Sequence, residues 1–154
     1  MLVARAQPWS FIYFQETGDR MYEKAVPHYW RGFKERYGLV GSVCEHCNKY
    51  FFPSRLICPE CRRRGKMKEY KFSGKGKVYS FTVIRTPPTG FELYVPYIMA
   101  IVELEEGARV VSQLVDCKPD EVKIGMPVEV CFRKIREENK SGLVLYGFKF
   151  RPVR

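Results

Sequence analysis

The sequence predicts a mainly β protein with a short N-terminal helical segment, a rubredoxin-like zinc ribbon and a C-terminal OB-fold barrel. Three observations carry this reading. Two Cys-x-x-Cys pairs, in CEHCNKYFFPSRLICPEC, stand ten residues apart. Beyond the last of these cysteines, apolar residues alternate over strand-length runs divided by Gly- and Pro-bearing breaks, with little helical periodicity between them. A chain of 154 residues that is 45% hydrophobic also has enough apolar side chains to fill compact cores.

The chain opens on MLVARAQPWSFIYFQETGDR, whose apolar run from Trp9 to Phe14 is interrupted by Ser10 and followed at once by Gln15 and Glu16. That run is too short for a signal core or a membrane span, so no membrane association is expected. Without an export signal the expected location is the cytoplasm, where six cysteines seldom mean three disulfides. Asn occurs only at 48 and 139 and Gln only at 7, 15 and 113, among many Lys, Arg and Glu. This is a bias of proteins from hot environments. Residues 1–26 are set apart as an N-terminal extension. Pro27 to Gly38 then reads as a short amphipathic helix, with Pro near its start, Gly at its end, and Trp30, Phe33 and Tyr37 on one face. Two destinations for that stripe stay open: the chain's own zinc module, or a partner.

Two residues between cysteines let both thiolates of a pair point at one ion, and two such knuckles complete a tetrahedral four-sulfur shell. Cys44, Cys47, Cys58 and Cys61 fit that pattern as ligands of a structural zinc ion, with iron as the competing metal. Four protein ligands leave no open position for water or substrate, so such an ion stabilises the fold and performs no chemistry. Asn48, after the first knuckle, tolerates the left-handed conformation expected there. Arg62, after the second, is a poorer choice. His46 reads as an exposed bystander. Lys49, Arg55 and the run Arg62-Arg63-Arg64 offset the −2 charge of four thiolates and one zinc. Cys131 alternates within Val128 to Phe132 and reads as a small buried residue; Cys117 sits near a turn. Neither has a sequence neighbour that would make it a nucleophile.

Helix and ribbon together span residues 27–65. The barrel takes 66–154, with strands expected at Met67 to Phe72, Lys77 to Arg85, Tyr97 to Glu105, Arg109 to Val115, Val128 to Arg133 and Leu143 to Phe150. Five or six short strands in about eighty residues suit a small closed barrel of the OB type. Aromatics in runs such as Val78 to Val83 are expected inside it. Val122 to Pro127 has the look of a tight entry into a late strand.

No nucleophile elbow, phosphate-binding glycine loop or paired-carboxylate motif appears, and both histidines, His28 and His46, lie outside the barrel. Enzymatic activity of the chain's own is therefore not expected. The formal charge of +10 favours partners bearing negative charge. Two non-catalytic classes follow from the residues: a single-stranded nucleic-acid-binding zinc-ribbon/OB protein, and a scaffold or acyl-carrier-handling module of a larger enzyme.

A resemblance decides between them. Tyr29-Trp30-Arg31, Arg36-Tyr37-Gly38-Leu39-Val40-Gly41, the two knuckles around Phe52-Pro53-Ser54-Arg55, Gly74-Lys75-Gly76-Lys77-Val78-Tyr79-Ser80-Phe81-Thr82, Pro88-Thr89-Gly90-Phe91, Pro96-Tyr97, Gly125-Met126-Pro127-Val128 and Tyr146-Gly147-Phe148-Lys149-Phe150 follow one another in order. Together they resemble the zinc-ribbon/OB-fold proteins that accompany thiolase-like enzymes, across residues 27 to 152. Asn48 and Arg62 stand where that family usually has glycine, and Ser54 where Pro-Pro-Arg is typical. Residues 1 to 20 lie outside the resemblance, as an added docking strand or a long terminus. The resemblance, closest to archaeal members, implies a non-catalytic scaffold in a cytoplasmic hetero-oligomer. Its partners would be an acetoacetyl-CoA thiolase and a hydroxymethylglutaryl-CoA synthase, with acetoacetyl-CoA passing between them in the mevalonate route to isoprenoids. It also implies contact with CoA or acyl-CoA at a shared interface, for which Lys75, Lys77 and Arg85 are the candidate residues.

Overall fold

The computed structural model describes residues 26–88, 91–137 and 144–153. The expected N-terminal docking strand lies outside these residues, as do Thr89-Gly90 and the turn Asn139 to Gly142. The chain divides after Gly32 into two compact units. In the first, helix α1 spans Val26–Arg31. Gly32 forms a turn, so the single helix expected over Pro27 to Gly38 is two short ones. The break falls at a glycine, which disfavours a helix interior by about 1 kcal/mol relative to alanine. Trp30 on α1 is 63% exposed.

The second unit opens with helix α2, Phe33–Gly38. Leu39 follows in the left-handed region at φ 49° and is buried. That conformation costs a non-glycine residue about 1–2 kcal/mol. Burying a leucine side chain returns about 1.5–3 kcal/mol, so the strain is carried by packing. Strands β1 (Val40–Cys44), β2 (Tyr50–Phe51) and β3 (Met67–Lys71) form a sheet in the order β2-β1-β3. The β1–β3 ladder runs from Val40 opposite Lys71 to Cys44 opposite Met67. Alternation alone assigns Met67 to Phe72 to the barrel, but the strand completes the ribbon. Gly74, at φ 79°, then bends the chain into the barrel. A Cβ there would lie 2.3 Å from Val130 Cγ1, so only glycine fits the bend.

Five strands close the barrel in the order β4-β5-β6-β8-β7: β4 (Lys75–Ile84), β5 (Tyr97–Leu104), β6 (Arg109–Leu114), β7 (Pro127–Glu137) and β8 (Val144–Pro152). β7 returns to pair with β4, and among the described residues only the β6–β8 junction is parallel. This is an OB-fold arrangement. Strict alternation on β5 sends Ile98, Ala100, Val102 and Leu104 into a core shared with Val78, Val110, Leu114, Val128 and Phe150. On β4 the phase changes. A bulge between Val78 and Ser80 shifts the register, so that Phe81 and Val83 follow Val78 to the core while Tyr79 turns outward. Tyr79 is therefore not the buried aromatic that alternation predicts; Arg109 stacks over its ring at 3.8 Å. The entry into β7 has the expected tightness: Gly125, at φ 84°, donates to the Val78 carbonyl, and Met126 accepts from the Val78 amide.

Ribbon and barrel meet through rings. Phe52 lies edge-on to Phe72 at 6.1 Å and to Phe148 at 5.5 Å, and Phe148 continues to Phe150 at 6.2 Å. Helix α2 bridges them again: Lys34 pairs with Glu69 of β3 at 2.8 Å, the Ser54 amide donates to Glu35, and Tyr37 packs on Phe132 of β7 at 5.0 Å. The aromatic face of α2 thus contacts the barrel. Among the described residues no helix is long and apolar enough to cross a membrane.

Candidate metal centre

The four cysteines converge from two loops that the ribbon sheet holds side by side. Cys44 ends β1; the Asn48 amide donates back to its carbonyl at 2.8 Å, and the Arg62 amide does the same to the Cys58 carbonyl at 2.8 Å. Both closures require a left-handed residue, and Asn48 and Arg62 supply it at φ 55° and 50°. The position expected to suit arginine poorly is therefore shaped like its asparagine counterpart. Gly65 passes behind the second knuckle. A Cβ there would lie 2.9 Å from the Cβ atoms of Cys58 and Cys61 and 3.0 Å from Cys44 Sγ.

All four sulfurs lie within 4.8 Å of one another, with Cys44 and Cys58 buried and Cys47 and Cys61 half-buried. A zinc ion about 2.3 Å from each of four thiolates sets neighbouring sulfurs about 3.8 Å apart. The Cys47 and Cys58 sulfurs are 3.7 Å apart, so the cluster has the size of a filled shell. The backbone N–H of Cys47 draws the Cys44 thiol down to about 7, whereas burial and the adjoining sulfurs push the Cys61 thiol up to about 12. Four thiols this close cannot all ionise without a cation among them. Tetrahedral sulfur donors fit zinc, or iron in a rubredoxin-like site.

His46 is exposed, but it is more than a bystander: its Nδ1 lies 3.3 Å from Cys61 Sγ, and a proton on that nitrogen makes a hydrogen bond to the sulfur. Compensating charge is less available than the basic residues suggest, because Lys49 is paired with Glu60, which raises its pKa, and Lys66 lies 3.8 Å from Glu45. Arg55 lies over the Phe51 ring at 5.5 Å. Cys117 and Cys131 are half-buried, their thiols pushed up mainly by burial, so neither is primed as a nucleophile. Cys131 is thus less enclosed than its alternation predicts.

The candidate CoA residues do not form one cluster. Lys75 and Lys77 begin β4 and Arg85 follows its end. A strand of that length separates Lys75 from Arg85 by about 30 Å. Lys77 lies 3.4 Å from Glu103, and the hollow beside it also includes Glu105. A further surface escaped the sequence. Phe33, Tyr37, Phe132 and Tyr146 form a ring series with centroid steps of 4.7, 5.0 and 5.7 Å, and each ring is at least 42% exposed. The two halves of the series, Phe33 with Tyr37 and Phe132 with Tyr146, come from opposite ends of the described chain, so no local pattern reveals it.

Comparison with known proteins places this architecture. Residues 32–67 match a profile described as the rubredoxin-like zinc ribbon domain of ChsH2, and residues 69–133 match that of the ChsH2 C-terminal OB-fold domain. A DUF35 domain-containing scaffold protein of Methanothermobacter thermautotrophicus is 59% identical over 80% of this chain and 92% of its own length. The chain is a member of the DUF35 family. A solved structure of an Ltp2-ChsH2(DUF35) aldolase superposes with a TM-score of 0.60 at 35% identity, over 82% of this DUF35 chain and 92% of that one. The benzoylsuccinyl-CoA thiolase subunit BbsA of Geobacter metallireducens is 32% identical over 75% of each chain. Relatives of this DUF35 protein are thus named as a scaffold, as a thiolase subunit and as part of an aldolase.

Proposed function

We propose that this DUF35 protein is a non-catalytic scaffold subunit that bridges an acetoacetyl-CoA thiolase and a hydroxymethylglutaryl-CoA synthase, so that acetoacetyl-CoA passes between them in the mevalonate route. The observation that carries this reading is 59% identity to a protein named as a scaffold, aligned over 92% of that relative. The thiolase subunit among its relatives supports the enzyme class. Condensation to acetoacetyl-CoA is unfavourable, and an intermediate held at high local concentration is consumed before it escapes. On this reading Cys44, Cys47, Cys58 and Cys61 hold a structural zinc ion that fixes the ribbon, and no step of the chemistry passes through it. The exposed rings of Phe33, Tyr37, Phe132 and Tyr146 form an apolar face for one enzyme. Lys75 and Lys77 at one end of β4, and Arg85 at the other, offer cations to CoA phosphates at two separate partner sites.

The test is reconstitution. The purified chain is mixed with the thiolase and synthase of the same organism at about 0.15 M salt, where screening over about 8 Å weakens loose charge contacts. Size-exclusion chromatography and conversion of acetyl-CoA to hydroxymethylglutaryl-CoA are then followed, with an external trap for acetoacetyl-CoA. A three-component complex whose flux resists the trap is the expected result. Two enzymes that elute separately from the chain, together with tight and steeply salt-dependent binding of single-stranded nucleic acid, would replace the scaffold reading with the nucleic-acid one.

A further inference from the structure

The outer surface of the barrel carries a cleft of about 460 Å3 beside the junction of β6 and β8. The ladder between these parallel strands consists of one pair, Leu114 with Phe150. Short pairing leaves the seam weakly closed, and the outward side chains of neighbouring strands stand around it: Tyr97 and Met99 of β5, Val111 of β6 and Ile135 of β7, with Phe91 at the rim. Gly147 keeps the β8 wall bare, because a Cβ there would lie 2.5 Å from Ile135 Cδ1. The volume is that of a small-molecule site, and the walls are mostly hydrocarbon.

Two cations stand in that wall, Arg36 and Lys149, and Arg36 has a partner of its own. Lys149 of β8 is only 9% exposed, and among the described residues it makes no hydrogen bond or ion pair. Its charged neighbour Arg133 has the same sign, and Arg133 already holds Asp116 at 3.0 Å. The Lys149 ammonium is partly desolvated at the cleft wall, and drawing an ammonium out of water without an anion beside it is costly. The absent partner is therefore a negative charge, and the apolar walls call for hydrocarbon attached to it. The one ammonium left unpaired suits a monoanion, which is also the cheaper species to draw out of water. Ser112 and Gln113, also in the lining, offer hydrogen-bonding groups beside it.

We propose that the cleft over the β6–β8 seam binds a small apolar monocarboxylate, its carboxylate paired with Lys149 and its hydrocarbon laid against Met99, Val111 and Ile135. The site belongs to the lone chain and does not rest on the scaffold reading. Calorimetric titration of the purified full-length chain tests it, with octanoate, hexanoate, octan-1-ol and octanoyl-CoA as probes. Octanoate is expected to bind at least tenfold more tightly than octan-1-ol, and each methylene removed should weaken it about fourfold. Lys149→Met should erase the preference for octanoate over octanol while leaving octanol binding in place; Lys149→Arg should keep the preference. Met99→Trp, which fills the cleft, should weaken both ligands. Equal affinity for octanoate and octanol, an unchanged preference in Lys149→Met, or no binding by either ligand would each overturn the proposal. So would octanoyl-CoA binding more tightly than octanoate with no dependence on Lys149, which would assign the cleft to an acyl chain without a carboxylate partner.

Discussion

Truncating Phe52 or Phe148 to alanine should weaken the joint between ribbon and barrel, and the two changes should not add. Both side chains are half-buried, pack against the barrel core, and meet edge to face at 5.5 Å. A fully buried Phe→Ala change costs about 3–5 kcal/mol, so a half-buried ring at this joint should cost about 2 kcal/mol. An edge-to-face pair contributes about 1 kcal/mol beyond its buried area. The double variant should therefore lose about 3 kcal/mol where independent losses would give about 4 kcal/mol. Urea unfolding followed by far-UV circular dichroism reads these energies. Release of metal to a chromophoric chelator at fixed sub-denaturing urea reads the mechanical consequence. Because Phe148 belongs to the barrel, faster release in Phe148→Ala would show the barrel steadying a ribbon it does not ligate. Losses that add within about 0.3 kcal/mol, with unchanged release, would refute the claim that these rings couple the two modules.

Gly65→Ala should lower metal affinity at least tenfold in competition with a chelator, because its Cβ would press on Cys58, Cys61 and Cys44 at about 3 Å. Arg62→Gly, which relieves φ 50° at the second knuckle, should stabilise the metal-bound chain by about 0.5 kcal/mol. Lys149→Met should raise stability at pH 7 by about 1 kcal/mol, or about 2–4 °C in Tm, by removing a partly desolvated cation that has no anion beside it. Burial lowers the Lys149 pKa from its ordinary 10.5, so the folded state resists the proton. That cost is fully present below the folded pKa and fades as pH rises to the unfolded value, so the gap between variant and parent should narrow toward alkaline pH in thermal melts. Phe132→Asp, in the exposed ring series, should weaken capture of the thiolase by about 2 kcal/mol, roughly thirtyfold, in surface plasmon resonance, while the loss of its two ring contacts lowers the melting temperature by about 4–8 °C.

Much of the architecture is legible because it rests on short-range constraints. Cysteine spacing fixes which sulfurs come together, and alternation on Tyr97 to Leu104 fixes which face of that strand is core. The misreadings involve partners distant in sequence. Met67 to Lys71 has strand character in either sheet, and only its ladder to Val40–Cys44 assigns it to the ribbon. Tyr79 sits where perfect alternation would bury a ring, but a one-residue bulge reverses the phase, and nothing in Val78 to Val83 marks it. Lys149 falls on the outward phase of β8, where a lysine ordinarily meets water. Residues of β5 and β6, with Pro88 and Phe91, line the same cleft on that phase. The exposed rings of Phe33 and Tyr146 are likewise joined only by the packing of α2 on β7 and β8.

The turn at Gly74 has a consequence for what the molecule can do as an assembly part. The ribbon's last strand ends at Lys71 and the barrel's first begins at Lys75. Within that interval Gly74 accepts a hydrogen bond from the Val130 amide at 2.7 Å, and the Ser73 amide donates to Glu106 at 2.7 Å. A connection this short and this fully bonded has no slack. Whatever grips the ribbon and whatever grips the barrel are thus held at a spacing and angle written into the chain, as by a machined bracket rather than a tether. Lengthening that interval by a few glycines would turn the bracket into a tether without touching either gripping surface.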